Sequence, residues 1–181
     1  NAGALQATTY IAKINSDGTL GNWTSSNQTF TNSRADHSTV AYNGYLYVAG
    51  GCRSYLVFTC TTVAKDVQYA QINNGGSGTT GSWTASPNSG SAANAGYTSY
   101  NGYVYAIRGC GGGIGTGDLN CDNLGMNTQG MVYAAVNSDG SFSSWQNLNA
   151  AGTPLARAYG LSAVAYNGYL YVIGGCTTYA S

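Results

Sequence analysis

The chain has 181 residues, enough for one domain or one large all-β unit, and only 7% of them are charged. Six Lys and Arg balance six Asp with no Glu, so the net charge is zero. That balance argues against a nucleic-acid partner bound by counterion release and against long-range steering. Abundant glycine and tyrosine (27 and 16 residues) argue against long amphipathic helices, and the 43% hydrophobic fraction argues against disorder. No apolar run approaches the roughly 18 residues that span a bilayer, so no membrane insertion by this segment is expected.

The chain opens at Asn1 with no initiator Met or signal peptide, which suggests a processed or excised chain. Thr8–Ile14 reads as a strand running into the hairpin signal Asn15-Ser16-Asp17-Gly18. A short strand carrying Trp23 follows, overlapped by the glycosylation sequons Asn22-Trp23-Thr24 and Asn27-Gln28-Thr29. Arg34 and His37 then precede Tyr42-Asn43-Gly44-Tyr45-Leu46-Tyr47-Val48. There Asn-Gly supplies the two positive-φ residues of a type I′ turn. The strand after the turn is apolar or aromatic on both faces, so it should be covered on both sides. It ends at Gly50-Gly51, where missing side chains allow a bulge or a close backbone approach.

Residues 52–66 read as a loop, followed by the strand Val67–Ile72, which contains Tyr69, and then by Trp83. The hairpin returns as Tyr100-Asn101-Gly102-Tyr103-Val104-Tyr105-Ala106 and again as Tyr166-Asn167-Gly168-Tyr169-Leu170-Tyr171-Val172. The downstream element returns as Met131–Val136, with Tyr133, the turn Asn137-Ser138-Asp139-Gly140, and Trp145. Gly174-Gly175 repeats Gly50-Gly51, whereas the middle copy has Arg108-Gly109. The period of 58 to 66 residues tiles the whole chain. Four hairpin-linked strands per period make a blade.

These coincident elements (four hydrophobic positions, Gly-Gly, then spaced Tyr and Trp) resemble the kelch motif of β-propellers. The signature residues here are Gly50, Gly51, Tyr69, Trp83, Tyr133, Trp145, Gly174 and Gly175. The repeat is longer than the roughly 50 residues usual for kelch. The resemblance implies an all-β fold of four-stranded antiparallel blades around a channel. The register predicts a half-blade of strands three and four in 1–33, blades in 34–93 and 94–156, and a half-blade of strands one and two in 157–181. About three repeat units fall below the roughly four to eight blades typical of a closed propeller. The chain is therefore expected either to be part of a larger propeller or to be completed by oligomerisation.

Five cysteines with a single histidine suggest disulfides before metal. Cys52 with Cys60, and Cys110 with Cys121, could each staple their own loop in an oxidising setting. Cys176 is left unpaired or intermolecular. By repeat alignment its partner would fall at Asn1 or before the chain start.

No catalytic site, metal or cofactor is expected. A copper oxidase on a kelch-type propeller needs two histidines, and His37 stands alone. The hairpins lack the Asp, Gly and Trp spacing of a sialidase Asp box, and without Glu a paired-carboxylate glycosidase has little support. Asp36-His37-Ser38 holds three catalytic residue types, but neighbours on a strand point to opposite faces, so a structural role is expected for Arg34 and His37, with Arg157 in a similar place later. Asp118–Asn123 starts like a calcium loop yet lacks the sixth-position Gly and the terminal Glu. The Gly111–Gly117 run lacks the Lys-Ser/Thr ending of a phosphate cradle.

Tyr55, Phe58 and Tyr179 lie outside the repeated strands and are the candidate binding aromatics. The expected function is non-catalytic binding or adhesion in an extracellular or cell-surface setting, through loops 52–66 and 110–130. The partner would be a protein or glycan ligand. Two alternatives stand beside it: a self-assembling subunit joined to copies of itself through open half-blades, and part of a propeller enzyme whose catalytic residues lie outside this chain.

Overall fold

The structure is a computed structural model and describes residues 4–56, 59–73, 75–86, 95–107, 131–148 and 160–175. Its described residues form fourteen strands: β1 (Thr8–Ile11), β2 (Thr24–Thr29), β3 (Ser38–Tyr42), β4 (Tyr45–Ala49), β5 (Cys52–Leu56), β6 (Thr59–Val63), β7 (Val67–Gln71), β8 (Thr84–Ala85), β9 (Gly96–Tyr100), β10 (Tyr103–Ile107), β11 (Met131–Ala135), β12 (Gln146–Asn147), β13 (Ser162–Tyr166) and β14 (Tyr169–Ile173). No helix among them is long and apolar enough to cross a membrane.

Two antiparallel sheets are full blades, ordered β3-β4-β7-β8 and β9-β10-β11-β12. On either side lie two-stranded sheets, β1-β2 and β13-β14. We call these the first and last half-blades, and the full blades the first and second blade. The turns between strands one and two explain the regularity. Asn43 and Gly44 adopt φ of 48° and 79°, Asn101 and Gly102 47° and 88°, and Asn167 and Gly168 49° and 83°. Such turns match the twist of paired strands and lock their register. Tyr47 accordingly pairs with Tyr69, and Tyr105 with Tyr133, at one equivalent position.

The core lies between the full blades. Val40, Tyr47, Ala49 and Val67 of the first blade pack with Tyr97, Val104, Ala106, Ala134 and Phe142 of the second. Tyr47 stacks on Phe142 with ring centroids 4.9 Å apart, and its phenol donates a 3.0 Å hydrogen bond to the Gly140 carbonyl. Burial pushes that phenol's pKa up, so it stays protonated as donor. The innermost strands are tied by polar contacts. Ser38 donates to the Ala95 carbonyl, Gly102 N–H to the Tyr42 phenol at 2.7 Å, and Ala165 N–H to Thr98 Oγ1 at 3.0 Å.

Three expectations change in detail. Residues 52–66 are not merely a loop: β5 and β6 form a hairpin of their own within them. Each Trp sits just before the fourth strand rather than in it, since β2, β8 and β12 begin after Trp23, Trp83 and Trp145. The second strand is covered on both faces in the first blade, where Tyr47, Val48 and Ala49 are buried, but less so in β10, where Tyr103 is exposed, and not in β14. There Tyr169, Tyr171 and Ile173 are exposed, because no further blade stacks on that side among the described residues.

Candidate functional site: the braced hairpin on the loop face

Two connections meet at one end of the first blade. The chain entering it, Phe30–His37, crosses the connection between strands two and three, residues 50–66. Gly51 makes the crossing close. A Cβ built there would lie 2.5 Å from the Ala35 carbonyl oxygen and 2.9 Å from the His37 Cβ. Its φ is also +95°, so glycine is required twice over. Ala35 and Cys52 then exchange backbone hydrogen bonds of 3.0 and 2.7 Å.

Below this crossing lies a charge lock. The Arg34 side chain is fully buried and makes a two-pronged pair with Asp66, at 3.0 and 2.9 Å. The same guanidinium donates to the Gly50, Thr31 and Asn32 carbonyls. Arg53 reaches the other side of Asp66 at 2.7 Å, and Gln68 donates to it at 2.7 Å. Burial pushes the Asp66 carboxyl up, but hydrogen bonds from Arg34 and Gln68 and the charges of Arg34 and Arg53 outweigh it. They hold its pKa at about 2. Both prongs satisfied on a planar guanidinium make this a rigid joint.

The hairpin β5–β6 stands on that joint. Cys52 and Cys60 are joined by a disulfide, with Cα atoms 5.8 Å apart. Beyond it, the Ser54 hydroxyl lies 2.6 Å from Thr61 Oγ1 and 2.8 Å from Thr62 Oγ1. The half-buried Tyr55 donates its phenol hydrogen to Asp36. The described residues of the hairpin thus present hydroxyls, the Tyr55 ring and the partly exposed Arg53.

Asp36, His37 and Ser38 diverge, as expected, but not through strand alternation: β3 begins only at Ser38, and Asp36 turns the chain with a φ of 53°. Asp36 turns to Tyr55, and Ser38 crosses to the second blade. His37 packs near the Phe30 ring, 6.0 Å between centroids. Burial and the Arg34 charge lower its pKa against smaller opposing effects of Asp36 and a backbone hydrogen bond to Arg34. Of the other sequence candidates, Phe58, Tyr179, Cys110, Cys121 and Cys176 lie outside the described residues, as do Arg157, Gly111–Gly117 and Asp118–Asn123. Among the described residues no group of three His, Cys, Asp or Glu could hold a metal ion.

Asp66 and Gln68 are the residues that sequence reasoning passed over. A signal existed: at the places where the first blade has Arg34 and Asp66, the second has Ala92 and Gly130, so arginine and aspartate are absent together. A charge pair that appears and disappears as a unit is one expected to be in contact.

Fold and site together define a β-propeller segment built of kelch-type blades. The Kelch motif family model matches residues 33–63, the segment that holds Arg34, the Gly-Gly and the hairpin. No curated protein sequence matches the chain significantly. Among solved structures, that of YjhT, a kelch-type propeller, aligns with a TM-score of 0.55 at 15% identity. The alignment covers 96% of this chain and 57% of YjhT, so this chain spans little more than half of that one.

Proposed function

We propose that the chain is a non-catalytic recognition segment, working at the cell surface or outside the cell, whose contact element is the hairpin β5–β6. The observation that carries this reading is the bracing: a disulfide, a buried bidentate ion pair and a glycine-tight crossing all fix a short hairpin that stands outside the four-stranded sheet of the blade. Rigid presentation lowers the ordering cost of binding. The disulfide is compatible with an oxidising compartment. Clustered hydroxyls beside a tyrosine ring and a single arginine suit a glycan, through hydrogen bonds and ring stacking. A protein ligand is the other class that such loops serve.

A glycan array probed with the wild-type chain and with Tyr55→Ala tests the reading. A glycan retained by the wild type and lost by the variant supports it. An array with no retained glycan removes the carbohydrate ligand, and retention unaffected by Tyr55→Ala moves the site off the hairpin.

A further inference from the structure

The contact between the two full blades is a template with matching, unfilled halves at the two outer sheets. In that contact Tyr45 lies against Gly140, and Tyr47 stacks on Phe142 and donates to the Gly140 carbonyl. The turn between strands three and four recurs, so Gly18 and Leu20 of the first half-blade stand where Gly140 and Phe142 stand in the second blade. The bridges Ile14–Leu20 and Val136–Phe142 fix that equivalence. Gly18 has nothing within 4 Å of a built Cβ, and Leu20 is 53% exposed. Tyr103 and Tyr105 of the second blade, equivalent to Tyr45 and Tyr47, have no such turn to cover among the described residues.

The innermost contact repeats in the same way. Tyr42 accepts from Gly102 N–H, and the Tyr100 phenol comes within 4.0 Å of a Cβ built on Gly168. Tyr166 is the next tyrosine in that series and is 72% exposed. The next turn glycine in the series is Gly44.

The sheet edges match too. In a two-residue hairpin the pair flanking the turn is hydrogen-bonded, so Tyr169 and Tyr171 turn their amides to β13. The amides of Leu170 and Val172 therefore face the open edge of β14. In the full blades, Tyr47 pairs with Tyr69 and Tyr105 with Tyr133. In the first half-blade Ile11 holds the place of Tyr69 and Tyr133, since each faces the residue that follows the tryptophan. The same register therefore pairs Tyr171 with Ile11 and Val172 with Tyr10, which is 63% exposed.

We propose that two copies of this chain close each other's half-blades: β14 of one pairs with β1 of the other, Tyr171 opposite Ile11 and Val172 opposite Tyr10. Each junction makes a mixed blade of β13, β14, β1 and β2. Its Gly18 turn receives Tyr103 and Tyr105 of the blade before it, and its Tyr166 reaches Gly44 of the blade after it. Two copies give six blades, within the roughly four to eight that close a ring, whereas one copy gives three and three copies give nine.

Light scattering on the eluting 181-residue chain tests this, with Val172→Pro and Tyr10→Pro beside it. Proline at Val172 removes an amide facing the open edge and spares the β13–β14 bonds. The expected mass is twice 18.6 kDa for the wild type and 18.6 kDa for each variant. Mixing the two variants should restore the doubled mass, because one junction of the mixed pair is wild type on both edges. That recovery also shows that both variants are folded. A wild type of 18.6 kDa at every concentration overturns the proposal, as does a doubled mass that survives both prolines. Variants that stay monomeric when mixed overturn it as well.

Discussion

Tyr47 and Tyr171 occupy the same place in two copies of one strand, followed by the same valine and reached through the same Asn-Gly turn. Yet Tyr47 is 1% exposed and Tyr171 46%. Local sequence makes the strand in both cases, and the blade stacked beside it makes the burial. The lesson is that secondary structure in this chain is a property of the repeat, while core formation is a property of the pair of repeats. A blade alone leaves a tyrosine-rich face that only the next blade's turn can cover.

The largest expected effect falls where the first blade differs from the second, at the Arg34–Asp66 lock. Asp66→Ala leaves a fully buried guanidinium without its counter-charge, which costs on the order of 3–5 kcal/mol. Urea unfolding measures it. The same lock sets a pH dependence. The carboxyl titrates at about 2 when folded, below its ordinary value of 3.8, so its contribution is complete above about pH 4. It is lost as pH falls through about 2, a drop of about 2 kcal/mol in the wild type that Asp66→Ala should not show. Parallel acid curves for the two proteins would mean that the pair contributes nothing.

The next effect tests the comparison directly. Tyr47→Ala removes a stacked ring and a buried hydrogen bond and should cost about 3–5 kcal/mol. In dilute solution, where single chains prevail, Tyr171→Ala should cost less than about 1 kcal/mol, as surface changes do. Raising the protein concentration should widen the Tyr171→Ala penalty and leave the Tyr47→Ala penalty dominated by the interior contact. Equal costs at low concentration would show that the last half-blade is already covered in the single chain.

The strands and turns were legible in the sequence because each repeat states them three times. Asn43, Asn101 and Asn167 all take positive φ beside a glycine, as the Asn-Gly signal requires. The first disulfide was legible from spacing alone, since Cys52 and Cys60 lie on one short connection. The lock was not, because Asp66 sits 32 residues from Arg34 and its trace is no more than the joint absence of the two charges from the second repeat. Nor was the hairpin inside 52–66, whose irregular register breaks the period-2 alternation that marks a strand. Ser54, Thr61 and Thr62 read as loop residues until their hydroxyls are seen to meet across it. Repetition made the scaffold readable, and the single-copy features built on it were the ones that spacing could not reach.

The smallest effect separates backbone strain from packing. Gly18 and Gly140 hold equivalent turn positions with φ of 84° and 82°, so an alanine at either pays the same left-handed penalty of about 1 kcal/mol. At Gly140 the new Cβ would also meet the Tyr45 ring, with Cδ1 at 2.5 Å and Cγ at 2.9 Å. Because the ring's base as well as its edge is in the way, rotating the tyrosine tip does not relieve the clash, and a further cost of about 1–3 kcal/mol follows. At Gly18 nothing lies within 4 Å, so Gly18→Ala in dilute solution should stop at the strain alone. The difference between the two variants, read from urea midpoints at one low concentration, isolates what a covering tyrosine contributes to a turn. If Gly18→Ala costs as much as Gly140→Ala in that dilute sample, the first half-blade's turn is covered within the single chain and the contrast between inner and outer sheets fails.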